Sequence, residues 1–106
     1  MFFTFRQNNS GGYFEGPIYL CVEASGAAEA NNRAKDTGIV YFGGVLGGHD
    51  CSCCGNRWYE VDDEDSTETP SFYGAPLADA AGDDHYMIVY ADGRIEEKGG
   101  IGRAHV

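Results

Sequence analysis

Residues 18–23, Ile18-Tyr19-Leu20-Cys21-Val22-Glu23, run almost unbroken in apolar side chains after the Gly16-Pro17 break. A strand without a polar face must be covered on both sides, so this run predicts a central strand of a sheet. The opening Phe2-Phe3-Thr4-Phe5-Arg6 predicts a second strand, with Phe3 and Phe5 on one face. Between them Asn8-Asn9-Ser10-Gly11-Gly12 reads as a turn, since Asn and Gly accept positive φ at little cost. Ser25 is placed as the N-cap of a helix running through Ala27, Ala30 and Ala34 to Lys35, with Gly38 just beyond its end. The three alanines share one face, where small side chains let a helix sit close to a sheet.

Further along, Ile39-Val40-Tyr41-Phe42 and Asn56-Arg57-Trp58-Tyr59-Glu60-Val61 are expected to be strands, followed by a linker with Pro70 and Pro76. Residues 85–90 and 94–97 flank Ala91-Asp92-Gly93, and Asp-Gly is a strong hairpin signal. Residues 99–106 read as a glycine-rich, flexible tail. The expected fold is a single α+β domain over residues 1–106, a small antiparallel or mixed β-sheet with one helix packed on one face and a cysteine-rich knuckle.

Seven Lys and Arg against seventeen Asp and Glu leave a net charge of −10. That balance argues against nucleic acid or an anionic membrane as a direct partner, because both need a basic footprint. No apolar run approaches about 18 residues, so no membrane span is expected. The excess is local: Glu60, Asp62, Asp63, Glu64, Asp65 and Glu68 crowd into residues 60–68. Such a block repels itself and reads as a solvated, flexible loop over residues 62–69 or as a partner-facing surface. Aliphatic residues are few, but seven Tyr and six Phe supply core area enough for a folded chain.

Cys51-Ser52-Cys53-Cys54-Gly55 contains a C-x-x-C pair, Cys51 and Cys54, followed by Gly. That is the form of a zinc knuckle, two thiolates on a tight turn. His49 adds a candidate nitrogen ligand, and Cys53, Cys21, His85 and His105 are candidates for completing a tetrahedral structural zinc site. Cys21, on the central strand, reads better as a buried thiol. The N-terminus lacks the basic start, apolar core and cleavage site of a secretory signal, so a reducing compartment is expected and a disulfide framework is not. Reduced structural thiols are the alternative to zinc. Redox chemistry fits least, because thioredoxin-like cysteines open a helix, whereas residues 55–59 read as a turn and a strand.

Asn8, Asn9, Gly11 and Gly12 form a candidate amide nest for a phosphate or small nucleotide; the plain alternative is a hairpin connection, with no phosphate-loop lysine beside it. Arg57 and Trp58 are types favoured at interfaces, and the other reading of the Trp is cover for the core beside the knuckle. The acids Asp62, Asp63, Glu64 and Asp65 lack the fixed-offset glycine of a calcium loop. No Ser/His/Asp or Cys/His arrangement is legible from spacing, and Asp83-Asp84-His85 has no nucleophile placed beside it.

Four stretches together resemble small uncharacterised proteins predicted from tailed-bacteriophage genomes. They are Phe5-Arg6-Gln7-Asn8-Asn9-Ser10-Gly11-Gly12, the helix residues Glu29-Ala30-Asn31 with Arg33-Ala34, Cys51-Ser52-Cys53-Cys54-Gly55-Asn56-Arg57-Trp58, and Tyr90-Ala91-Asp92-Gly93-Arg94. The similarity spans about residues 2–98, and members often carry Pro where this chain has Ser52. The resemblance implies a phage origin and expression in the host cytoplasm; it implies no reaction. Two functional classes follow. One is a binding factor that inhibits a host defence or nucleic-acid-processing protein with its acidic face, imitating the phosphate array a basic cleft expects. The other is a small-ligand binder that sequesters a signalling nucleotide, using residues 8–12 with Arg6, Arg33 or Arg57. The oligomeric state, a homo-oligomer included, stays open.

Overall fold

The computed structural model describes residues 1–8, 16–48, 50 and 55–98. The predicted central strand is β2 (Tyr19–Glu23), and Tyr19, Leu20, Cys21 and Val22 are all buried. On one side it pairs antiparallel with β1 (Phe2–Arg6), Phe3 opposite Val22 and Phe5 opposite Leu20. The other two elements of the described sheet are β5 (Tyr86–Val89) and β6 (Ile95–Lys98). β5 lies parallel to β2 on its far side and β6 closes the sheet antiparallel to β5, giving the order β1-β2-β5-β6. The sheet is therefore mixed, as the α+β reading expects.

Alternation along β1 and β2 divides the core between two faces. Phe3, Phe5, Leu20 and Val22 pack under α1 (Ala27–Asp36) through Ala27, Ala30 and Ala34, together with Val40, Trp58 and Val61. Each of the larger side chains contributes about 1.5–3 kcal/mol by leaving water. Tyr19, Cys21, Tyr86 and Ile88 face the other way, against Leu77 and Ala81 of the short α2 (Leu77–Ala81). Beside α2 lies a miniature hairpin of β3 (Ser71–Phe72) and β4 (Ala75–Pro76). This second cover falls in the stretch expected to be a linker. A strand apolar on both faces needs it.

α1 starts one residue later than expected. Its N-cap is Gly26, and Ser25 instead engages Glu29, whose carboxylate accepts from the Ser25 N–H at 2.7 Å and its hydroxyl at 3.1 Å. Those two bonds hold the Glu29 carboxyl below its ordinary range. The free N–H of Ala27 donates to Asp63 Oδ1 at 2.8 Å, so the helix is capped from the acidic segment. At the other end Thr37 donates its hydroxyl to the Ala34 carbonyl and Gly38 takes φ +78°.

Two expected strands are absent among the described residues. Residues 39–42 and 56–61 form no ladder, although Val40, Trp58 and Val61 are buried. Short apolar runs there serve packing under α1 rather than pairing, which periodicity alone does not distinguish. The C-terminal hairpin forms as expected, with Gly93 at φ +90° and the Arg94 N–H donating to Asp92 Oδ1 at 2.9 Å. Buried His85 pairs through Nε2 with Glu97 Oε2, tying the exposed edge strand β6 back to the start of β5. Among the described residues no helix is long and apolar enough to cross a membrane.

Candidate binding groove

β1 is an edge strand whose outer side, among the described residues, is paired only near its ends. Phe2 exchanges both backbone bonds with Thr67, at 2.7 and 2.9 Å, and the Asn8 N–H donates to the Arg57 carbonyl at 2.8 Å. In an antiparallel pair, outward-facing residues alternate with inward ones, so Thr4 and Arg6 also turn their N–H and C=O groups outward. Among the described residues nothing bonds those groups, because the chain between the two tethers bows away toward α1. Two contacts draw it there. The Asn31 carboxamide bonds both backbone groups of Val61, and Asp63 caps Ala27.

The gap left over Thr4 and Arg6 is a groove of about 310 Å³. One wall carries Tyr59, Glu60 and Asp65; the other carries Phe72 and Tyr73 of the β3–β4 hairpin. A second hollow of about 520 Å³ continues past Arg6 and Asn8 toward Tyr19 and Ala80, sharing Phe72 and Tyr73 with the first. Tyr59 is 52 % exposed and Tyr73 95 % exposed, so both rings are available to a ligand. Among the described residues Arg6 is the one cation lining the first groove; its guanidinium is engaged with the Gln7 carbonyl at 3.1 Å and the Tyr19 hydroxyl at 3.3 Å.

The acidic segment is hydrogen-bonded in place. It forms a 3-10 turn over Asp63–Asp65, and the Asp62 N–H donates to Asp65 Oδ2 at 2.8 Å. Asp62, Asp63, Glu64 and Asp65 are exposed, as is Glu60. Asp63 and Asp65 therefore hold structure as well as charge, whereas Glu60 and Glu64 make no hydrogen bond among the described residues.

Beside the groove lies a buried polar cluster. The Arg57 N–H donates to Asp50 Oδ2 and the Tyr41 hydroxyl to Asp50 Oδ1, both at 2.7 Å, while the Arg57 guanidinium reaches Gln7 Oε1 and sits 3.8 Å from the Asp50 carboxylate. Burial raises the Tyr41 hydroxyl above its ordinary value, and its bond to Asp50 raises it further. Gly44 is required here, since a Cβ would lie 2.0 Å from Asp50 Oδ2. The cluster ties Asp50 to Arg57, one on each side of the cysteine segment in the sequence.

Several expected site residues fall differently. Arg57 is 6 % and Trp58 1 % exposed, so they serve the cluster and the core and offer no interface surface. The large Trp58 ring packs in the core with the α1 alanines. Asn8 is exposed and lines the groove. Asn9, Gly11, Gly12, His49, Cys51, Cys53 and Cys54 lie outside the described residues, as do residues 99–106, expected as a tail, and the expected knuckle. Cys21 is a buried thiol, and among the described residues no group of three or more His, Cys, Asp or Glu is placed to hold a metal ion. Arg6 and Arg33 line different hollows, and Arg57 is buried, so these cations do not converge on one ligand. Sequence reasoning missed Thr4, Asn31, Tyr59 and Tyr73. Tyr73-Gly74 between Phe72 and Ala75 was the available signal, a two-residue hairpin turn.

Fold and groove together define a small α+β domain with an open, acid-rimmed sheet edge. The chain belongs to the family described as a domain of unknown function (DUF7296), whose model matches residues 1–105. No curated protein and no solved structure matches it.

Proposed function

We propose that the protein acts by binding, as a phage accessory factor in the host cytoplasm that occupies a host defence or nucleic-acid-processing protein through its acidic face. One observation carries this reading: the acidic turn is pinned to α1 by Asp63 and Asn31, so the backbone that carries Glu60, Asp62 and Glu64 is held in place. A pre-ordered surface loses less entropy on association than a loose loop. Negative charge in fixed positions suits a basic cleft. Sequestration of a signalling nucleotide would call for converging cations, which Arg6, Arg33 and Arg57 do not supply.

The test is capture of partners from host lysate at low and high salt by the wild-type chain and by an E60Q/E64Q variant, both changes at acids without structural bonds. The reading expects one partner retained at low salt, released at high salt and depleted in the variant. Retention indifferent to both would overturn it. The proposal carries a structural zinc, held by His49, Cys51, Cys53 and Cys54, as a separate expectation. Metal analysis of protein purified without added zinc checks it: about one zinc per chain supports the site, and under about 0.3 with no loss of stability in chelator removes it.

A further inference from the structure

We propose that the open stretch of β1 takes an extended, Lys- or Arg-bearing segment of the partner protein as an added strand, paired to the outward backbone groups of Thr4 and Arg6. The inference rests on the acidic-surface reading and adds to it a place and a mode of binding. Three independent features converge on the same groove.

The first is the backbone. β1 is paired outward at Phe2 by Thr67 and at Asn8 by Arg57, and between them two residues present donors and acceptors in the spacing of a ladder. Sheet edges are ordinarily covered or charged along their length, because unpaired edges recruit other strands. Here the covering segment leaves the edge at the groove. Main-chain bonding to such an edge supplies affinity without requiring a particular sequence.

The second is charge. Glu60 and Asp65 line the groove and Asp62, Asp63 and Glu64 stand beside it, while the Arg6 guanidinium is turned to Tyr19 and Gln7. An incoming strand therefore meets a negative rim. The third is the aromatic wall. Tyr73 is almost fully exposed and stands 4.4 Å from Phe72 between ring centroids, offering a face on which a cationic side chain can rest. It also has φ +52°, a left-handed conformation unusual for a bulky residue. Asn or Gly would fill that turn position with less strain. A strained, solvent-facing tyrosine at a groove is the kind of outlier that points to use.

The test uses the full chain and two synthetic peptides of about eight residues alternating Lys and Val, one N-methylated throughout its backbone so that pairing is erased while charge is kept. The parent peptide is expected to bind and to slow amide exchange at Thr4 and Arg6 by about tenfold or more, and the methylated one to lose about tenfold in affinity. Y73N should bind the parent peptide more weakly with no loss of thermal stability. Equal affinity for the two peptides, binding with unchanged exchange at Thr4 and Arg6, or no binding of the parent peptide overturns strand addition. A Glu–Val peptide separates the two claims. If it binds as tightly as the Lys–Val peptide, the acidic-surface reading fails; a preference for Lys without exchange protection keeps that reading and removes strand addition alone.

Discussion

Asn31 clasps Val61 by both of its backbone groups: the side-chain amide donates to the Val61 carbonyl at 3.1 Å, and the Val61 N–H donates to Asn31 Oδ1 at 2.9 Å. A helix side chain thereby does for an unpaired segment what a neighbouring strand would do. Because Val61 is buried, truncation leaves two backbone groups without partners. N31A is expected to lower stability by about 1–3 kcal/mol, read from urea unfolding. N31D keeps the acceptor but sets a carboxylate oxygen against the Val61 carbonyl, and should cost at least as much.

Asp63 caps α1 from outside the helix, so its charge and its hydrogen bond are separable. D63A is expected to cost about 1 kcal/mol and D63N less, since an amide oxygen still accepts from Ala27. E64Q, at an exposed neighbour without a structural bond, should change stability by no more than about 0.5 kcal/mol. Thermal or urea unfolding of the three variants distinguishes the cap from general charge repulsion.

Tyr73 and Gly74 form the two-residue loop of the β3–β4 hairpin with φ +52° and +80°. Left-handed backbone disfavours a bulky side chain, and Asn tolerates it. Y73N is expected to raise stability by about 0.5–1 kcal/mol, seen as a higher thermal midpoint. A drop would mean that the contact of the Tyr73 ring with Phe72 outweighs the backbone term.

Burial pushes the Cys21 thiol from its ordinary 9.0 up to about 11, with the Thr4 hydroxyl pulling the other way and Glu23 adding to the rise. The folded chain holds this proton more tightly than the unfolded one. The associated stability is complete below about pH 9 and is lost as pH rises toward 11, on the order of 2–3 kcal/mol. C21A should flatten that alkaline decline measured by urea unfolding, leaving the part due to Tyr41 and Tyr90, which are raised too.

The strands at residues 2–6 and 18–23 were legible because alternation and unbroken apolarity are local signals that the sheet obeys. The last hairpin was legible from Asp92-Gly93 between the runs at residues 85–90 and 94–97. Residues 39–42 and 56–61 misled for the converse reason: Val40, Trp58 and Val61 bury without a ladder, and no local pattern says whether a neighbour will pair with them. Asp63 illustrates the remaining gap. Its charge was plain in the sequence, but its bond to Ala27, 36 residues away, depends on the bow of the intervening chain. The groove is harder still to read ahead, being the space between β1 and a segment that Asn31 draws aside. Charge marked one rim of the groove, at Glu60 and Asp65, while its aromatic and backbone parts emerge only from packing.

Whether the acidic face leads the interface is read from the affinity of the captured partner as a function of ionic strength, for the wild-type chain and for E60Q/E64Q. Exposed charges are screened beyond about 8–10 Å at physiological salt, so an acid-led interface must weaken as salt rises. A steep fall is expected for the wild type, and a weaker, less salt-sensitive affinity for the variant, by about fivefold or more at low salt. Affinities that coincide for the two chains and do not change with salt would contradict it.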